Sequence, residues 1–268
     1  MNTLVVAVSA ILLYLAATGL LVRRIVQKRE GMRCRQIILA LAGAAVLLHG
    51  SLLYPRVFSP EGIDLGIFNA LSLVAWLSVI LMMISLLRNP LENLGLLLFP
   101  FSAVALILEL LLTSQRIVPA GAPWQLEAHI FVSFLAYAFL GLAMVQAILL
   151  MAQERQLRNR RPRGFVSALP PLQVMETLLF RLIGLGFALL TIGLLIGVLF
   201  IEDIFASHLV HKTVLSLIAW LLFAILLWGR WRFGWRGRTA IRWTLTGFAT
   251  LMLAYFGSKL VLELILQR

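Results

Sequence analysis

The chain has 268 residues, 62% of them apolar and 13% charged, with a formal net charge of +12. A mean hydropathy of +0.99 excludes a water-soluble domain, in which the apolar share is about half. The positive charge does not point to nucleic acid, because it is spread over the loops between apolar runs and no nucleic-acid motif accompanies it.

Eight apolar runs fall at approximately 3–22, 36–54, 66–87, 95–113, 127–152, 177–200, 212–229 and 242–264. Each is near the roughly 20 residues that span a hydrocarbon core as a helix. Lipid offers no partner to an open backbone, so such runs are helices. An outer-membrane barrel would show short alternating segments instead. The expected fold is all-α: a polytopic integral membrane protein of about eight transmembrane helices, forming a single domain over 1–268.

The first run has no basic residue before it and several after it, the reverse of a cleavable signal peptide. Basic residues then recur on alternate loops. Arg23, Arg24, Lys28, Arg29, Arg33 and Arg35 follow segment 1, and Arg88 sits in the 3–4 turn. Arg155, Arg158, Arg160, Arg161 and Arg163 follow segment 5, with Arg181 just inside segment 6. Arg230, Arg232, Arg236, Arg238 and Arg242 lie around the 7–8 turn. Eighteen of the 23 basic residues are therefore on one side, and the positive-inside rule places both termini outside. Trp228, Trp231, Trp235 and Trp243 gather at the inner boundary, where indoles act as interfacial anchors. The longest connection, about 153–176, is basic and holds Pro162, Pro170 and Pro171, as suits an irregular cytoplasmic linker.

This topology brings all four histidines to the outer side. His49 falls about five residues below the outer end of segment 2, roughly 7–8 Å deep at 1.5 Å per residue. His129 opens segment 5, beyond Trp124 and Glu127. His208 and His211 lie in the 6–7 loop and at the start of segment 7, three apart and on one face if helical. Each histidine taken alone reads as an interfacial residue; four in one layer read as a ligand set, since neutral imidazole suits metals and haem iron. Arg56, Arg116 and Lys212 share that side, as propionate partners or as ordinary loop charges. Glu109, near the outer end of segment 4, reads as a snorkelling side chain or as a polar group on a solute path.

Several chemistries are excluded. Cys34 is the single cysteine, so there is no disulfide, redox pair or covalent haem-attachment motif. No phosphate-binding glycine loop, zinc-protease motif or nucleophile elbow occurs, and no enzymatic activity is expected. His208 and His211 lack the further ligands that a zinc site needs.

Several stretches resemble one family. These are His49 before a short outer loop, and Trp124-Gln125-Leu126-Glu127-Ala128-His129 leading into Ser133-Phe134-Leu135-Ala136-Tyr137. Pro170-Pro171-Leu172 precedes segment 6. The C-terminal part adds His211-Lys212-Thr213-Val214-Leu215-Ser216, Ala219-Trp220, Gly234-Trp235-Arg236-Gly237-Arg238 and Ala254-Tyr255-Phe256-Gly257-Ser258-Lys259. In order and spacing they are similar to the CcsA/HemX-like cytochrome c assembly proteins, and closest to their short eight-helix, YpjD-type branch.

The resemblance implies an inner-membrane protein that handles non-covalent haem b at the periplasmic face in cytochrome c-type biogenesis. Lipid, haem and other cytochrome c assembly proteins would be its partners. It implies His129 as the outer histidine and His49 as the first membrane histidine. The chain departs from the full-length pattern: its 6–7 loop has no tryptophan, and Trp228 stands where the family places a late histidine. Haem binding is implied by the match, whereas delivery to an apocytochrome is not. The expected cofactor-binding residues are His49, His129, His211, His208, Trp124, Arg56, Arg116 and Lys212. His129 and His211 are the expected axial pair, with His49 as the alternative or transit ligand. Because the ligands are neutral imidazoles, ligation should weaken below about pH 6. A membrane regulator or scaffold of haem biosynthesis and a small-solute or ion permease are the other readings.

Overall fold

A computed structural model describes residues 3–27, 32–86, 92–158, 169–200 and 210–257, with residues 210 and 211 by backbone alone. Within the described residues, all eight apolar runs are helices: α1 (Thr3–Val26), α2 (Met32–Val57), α3 (Ile67–Ser85), α4 (Gly95–Leu111), α5 (Trp124–Arg158), α6 (Leu172–Phe200), α7 (Val210–Phe233) and α8 (Arg238–Met252). A π-helical turn, Leu253–Gly257, continues α8. Among the described residues seven helices are long and apolar enough to cross a membrane. The C-terminal part of the eighth predicted run lies outside the described residues.

The helices gather into two compact units, Met1–Ala120 with Arg155–Pro170, and Gly121–Glu154 with Pro171–Arg268. In the first, α1 packs on α2 and α4, and α3 packs on α2 and α4. Close approach comes from small residues: Ala7, Ala10, Ala17, Ala42 and Ala45 are fully buried, and such residues let membrane helices meet backbone to backbone. The face Ala7-Ala10-Tyr14-Ala17-Leu21 repeats every three or four residues, which is one stripe of a helix. At one end of this unit Glu92, in a 3-10 turn at Glu92–Leu94 before α4, binds both Arg24 and Arg35.

The opposite end carries a feature that the hydrophobic runs do not reveal. Phe58–Ser59 (β1), Gly62–Asp64 (β2) and Ile117–Pro119 (β3) form a three-stranded antiparallel sheet in the order β1-β2-β3. Phe58 pairs with Ile63, and Ile63 with Val118. Only glycine fits position 62: φ is +140°, and a Cβ there would stand 1.9 Å from the Val118 carbonyl oxygen. Asp64 Oδ1 accepts the backbone N–H groups of Gly66 and Arg116, at 2.9 and 2.8 Å. The α2–α3 and α4–α5 connections are thereby tied together, although neither holds enough residues to read as a sheet.

α5, which lies in the second unit up to Glu154, is 35 residues long, about 52 Å at 1.5 Å per residue. It outruns the apolar core at both ends and carries helix through the start of the predicted basic linker. α6 begins at Leu172, directly after Pro171, whose carbonyl accepts Val174 N–H at 2.9 Å. Proline is favoured at such starts because it has no N–H to leave unpaired. Gly234-Trp235-Arg236-Gly237-Arg238 forms the turn between α7 and α8. Gly234 and Gly237 have φ of +67° and +57°, a left-handed conformation natural to glycine. Glu176 Oε1 accepts Gly237 N–H at 2.7 Å, locking that turn to α6. Trp228 and Trp231 are exposed beside it, as expected of anchors facing the interface.

Candidate functional site

Two polar arrangements stand out, one in each unit. The first begins at His49. α2 continues to Val57, so the histidine lies eight residues from the helix end, about 12 Å, deeper than the sequence implies. It is fully buried, and both ring nitrogens have partners. Nδ1 meets the Tyr14 hydroxyl at 3.3 Å and Nε2 meets Ser72 Oγ at 2.8 Å. Tyr14 presents its ring edge-on to the imidazole and stacks on Phe99, which fixes the ring from α1 and α4. Trp76 lies flat across Gly50 next door, where a Cβ would stand 2.9 Å from Cζ2.

Ser72 also interacts with the carboxyl of Glu109. Glu109 does not snorkel. Its side chain is sealed, and it is paired with Arg56, which donates to its carbonyl oxygen at 2.8 Å and its Oε1 at 3.3 Å. Arg56 is thus committed to an ion pair rather than standing as a free loop charge. Glu109 Oε2 is buried without a hydrogen-bond partner. Arg56, Asp64, Asn69, Glu109, Thr113, Ser114 and Gln115 contribute the polar wall of a cavity of about 340 Å³ at the sheet end of this unit. Arg116 is exposed just before β3, where its backbone N–H donates to Asp64 Oδ1 and its carbonyl accepts Leu65 N–H at 2.9 Å.

The second arrangement centres on His129, one turn into α5. Its Nδ1 lies 2.8 Å from the Gly193 carbonyl oxygen on α6. A carbonyl can only accept, so Nδ1 carries the proton and the neutral ring leaves Nε2 with a lone pair. Gly197 makes room for the ring, and Gly193 makes room for Ser133 beside it. A Cβ at Gly197 would lie 3.2 Å from His129 Cε1, and one at Gly193 would lie 3.3 Å from Ser133 Oγ. The Gly193-x-x-x-Gly197 spacing puts both on one face of α6. Trp124, at the helix start, is 70% exposed. Lys212 is half-buried in the first turn of α7. His208 lies outside the described residues, and of His211 only the backbone, beginning α7, is described. Among the described residues no three His, Cys, Asp or Glu side chains come together as a metal site.

The motif residues pack around these positions. Tyr137 donates to the Leu251 carbonyl at 2.7 Å and sits among Tyr255 and Phe256 of the π turn, with Phe134 against Tyr255. Two stretches more than a hundred residues apart thus form one aromatic cluster. Trp220 donates to Thr191 Oγ1 at 2.9 Å and stacks on Phe187. Tyr14, Ser72, Gly193 and Gly197 are the residues that sequence reading missed. Only the glycine pair left a local signal, its four-residue spacing in an apolar helix.

The fold is that of a multi-pass helical membrane protein with a carbonyl-oriented histidine at a helix start. The chain belongs to the cytochrome c assembly protein family, whose model matches residues 43–266. It is similar to the inner membrane protein YpjD of Escherichia coli K12, with 32% identity over 97% of this chain and 99% of the relative. An uncharacterized 28.8 kDa protein of Azospirillum brasilense is 37% identical over 56% of each chain. The cytochrome c biogenesis protein CcsA of Trichodesmium erythraeum is 37% identical over 33% of this chain and 26% of its own length. No solved structure matches. The protein is a multi-pass protein of the bacterial inner membrane.

Proposed function

We propose that this protein holds non-covalent haem b as cargo at the periplasmic face and serves cytochrome c-type biogenesis. His129 is one axial ligand and His211, in the same unit, is the other. Family membership and the similarity to CcsA support the role in cytochrome c assembly. The observation that carries the ligand assignment is the 2.8 Å contact from His129 Nδ1 to the Gly193 carbonyl. Metal-ligating histidines characteristically donate their second ring N–H to such an acceptor, which fixes the tautomer and raises the basicity of the ligating nitrogen. The residues present fit the group: a neutral imidazole at a helix beginning, an exposed indole at Trp124 for the porphyrin face, and Lys212 beside His211 for a propionate.

His49 takes no part in this arrangement, because both its nitrogens are bound within its own unit. Arg56 is likewise spent on Glu109. The haem supplies the iron chemistry, and the chain's own residues bind and orient it, with no catalytic step assigned to them. The periplasmic placement rests on the positive-inside rule and puts both termini outside.

The test is haem absorbance of protein purified in detergent and supplied with haem. The parent should show a Soret band that His129→Ala loses and His49→Ala keeps. A His129→Ala variant that binds haem as the parent does would overturn the assignment.

A further inference from the structure

The cavity at the sheet end of the first unit carries more polar capacity than the fold uses. Arg56 from α2, Asp64 of β2, Asn69 from α3 and Glu109 from α4 all line it. At about 340 Å³ it falls at the small end of ligand pockets, which run from about 300 to 1,000 Å³. The side chain of Glu109 exposes no surface, so its part is to hold the Arg56 guanidinium at the wall rather than to meet a ligand.

The other three side chains are placed by the fold and left partly unused. Arg56 gives only Nη1 to Glu109, and a guanidinium also carries N–H groups on Nε and Nη2. Asp64 Oδ1 takes the backbone N–H groups of Gly66 and Arg116, which fixes the carboxylate. Its Oδ2 has no partner among the described residues, and neither has the amide of Asn69, half-buried in the first turn of α3. The frame around them is tight. Ile67 N–H donates to Ser114 Oγ at 2.7 Å, and a Cβ at Gly66 would stand 1.8 Å from the Ser114 carbonyl oxygen. Groups set in place before a ligand arrives reduce the ordering that binding requires.

Charge defines what fits. Arg56 and Glu109 cancel as a pair, which leaves Asp64 as an excess negative charge on the wall. An anion alone suits Arg56 and is repelled by Asp64; a cation alone suits Asp64 and is repelled by Arg56. A molecule that carries both signs is complementary to both.

We propose that this cavity binds a small zwitterion, with its anionic group on Arg56 and its ammonium on Asp64 Oδ2. The Asn69 and Gln115 amides and the Thr113 hydroxyl complete its hydrogen bonds. Two sources offer that chemistry: a free solute, and the ethanolamine phosphate headgroup of a phospholipid. Leu110 and Leu112 on the same wall, with Leu111 exposed between them, would flank the acyl chains of the lipid. The site lies wholly in the first unit and uses no haem ligand.

The full chain, purified in dodecyl maltoside, is titrated calorimetrically with O-phosphoethanolamine and, separately, with inorganic phosphate and ethanolamine as its two halves. The parent should bind the zwitterion at least about tenfold more tightly than either half. Asp64→Asn keeps Oδ1 for the two backbone N–H groups and removes the charge. It should weaken the zwitterion about tenfold or more, the size of one lost charged hydrogen bond, without weakening phosphate. Asn69→Ala breaks no described bond of the fold and should also weaken the zwitterion. Native mass spectrometry with phosphatidylethanolamine and phosphatidylglycerol of equal chains separates the sources. Preferential retention of phosphatidylethanolamine supports the site with the lipid as its occupant; binding of O-phosphoethanolamine without that preference supports it with a free solute. Neither form of binding, or Asp64→Asn matching the parent, would overturn the proposal.

Discussion

Three glycines on α6 have different surroundings, so identical substitutions there should diverge in sign. A Cβ at Gly186 would sit 2.7 Å from Leu140 Cγ and Cδ2 and 3.2 Å from the Leu140 backbone nitrogen. Carbon contacts relax to about 3.5–4 Å, so Gly186→Ala must push α5 and α6 apart by about 1 Å or drive Leu140 out of its rotamer. Overpacking of this kind costs about 1–3 kcal/mol. Alanine recovers about 0.5–1 kcal/mol by reducing the backbone freedom of the unfolded chain. The net expectation is a loss of about 1–2 kcal/mol, roughly a 5- to 30-fold change in the folding equilibrium. At Gly184 the same Cβ meets nothing within 4 Å, so Gly184→Ala should gain about 0.5–1 kcal/mol. Gly197→Ala falls between, because the His129 ring must yield only slightly. Unfolding in mixed micelles, driven by SDS and followed by far-ultraviolet circular dichroism, measures all three. If Gly186→Ala proved as stable as Gly184→Ala, the assigned packing of α5 on α6 would be wrong.

Two further outcomes check the frame. Gly237→Ala forces a Cβ into φ +57°, ψ −131°, a combination nearly confined to glycine, and should lose about 1–3 kcal/mol in the same unfolding assay, with Gly237→Asn losing as much because Asn tolerates only the left-handed helical region. Reporter fusions after Arg163 and after Arg268 should report opposite sides of the membrane, and finding both on one side would refute the eight-span topology.

Helices were legible because the bilayer makes one demand, about 20 apolar residues, that composition alone can meet or fail. Their ends were less so. α5 continues to Arg158 because, once in water, a segment such as Gln153-Glu154-Arg155 is as good a helix as a loop. The sheet escaped notice because its strands are two or three residues long and one of its two pairings, β2 with β3, spans more than fifty positions. The histidines were found by type, but their roles depend on partners that sequence does not mark. Ser72 looks like any small residue of a membrane helix, yet it determines where Nε2 of His49 points. Glu109 read as a snorkelling side chain because one helix shows its depth but not the arginine that meets it from another.

The acceptor that turns His129 belongs to the main chain. No side-chain exchange can delete a carbonyl, so Gly193 O remains under the imidazole whatever residue occupies that position. What substitution can alter is clearance. With a hydrogen atom alone at position 197, the ring settles against the α6 backbone; a methyl group there displaces it by a few tenths of an ångström. The tuning of this histidine is therefore steric, set by one missing methyl group on a neighbouring helix. Variation at 197 should grade the strength of the His129 contact stepwise with side-chain volume, a dial rather than a switch.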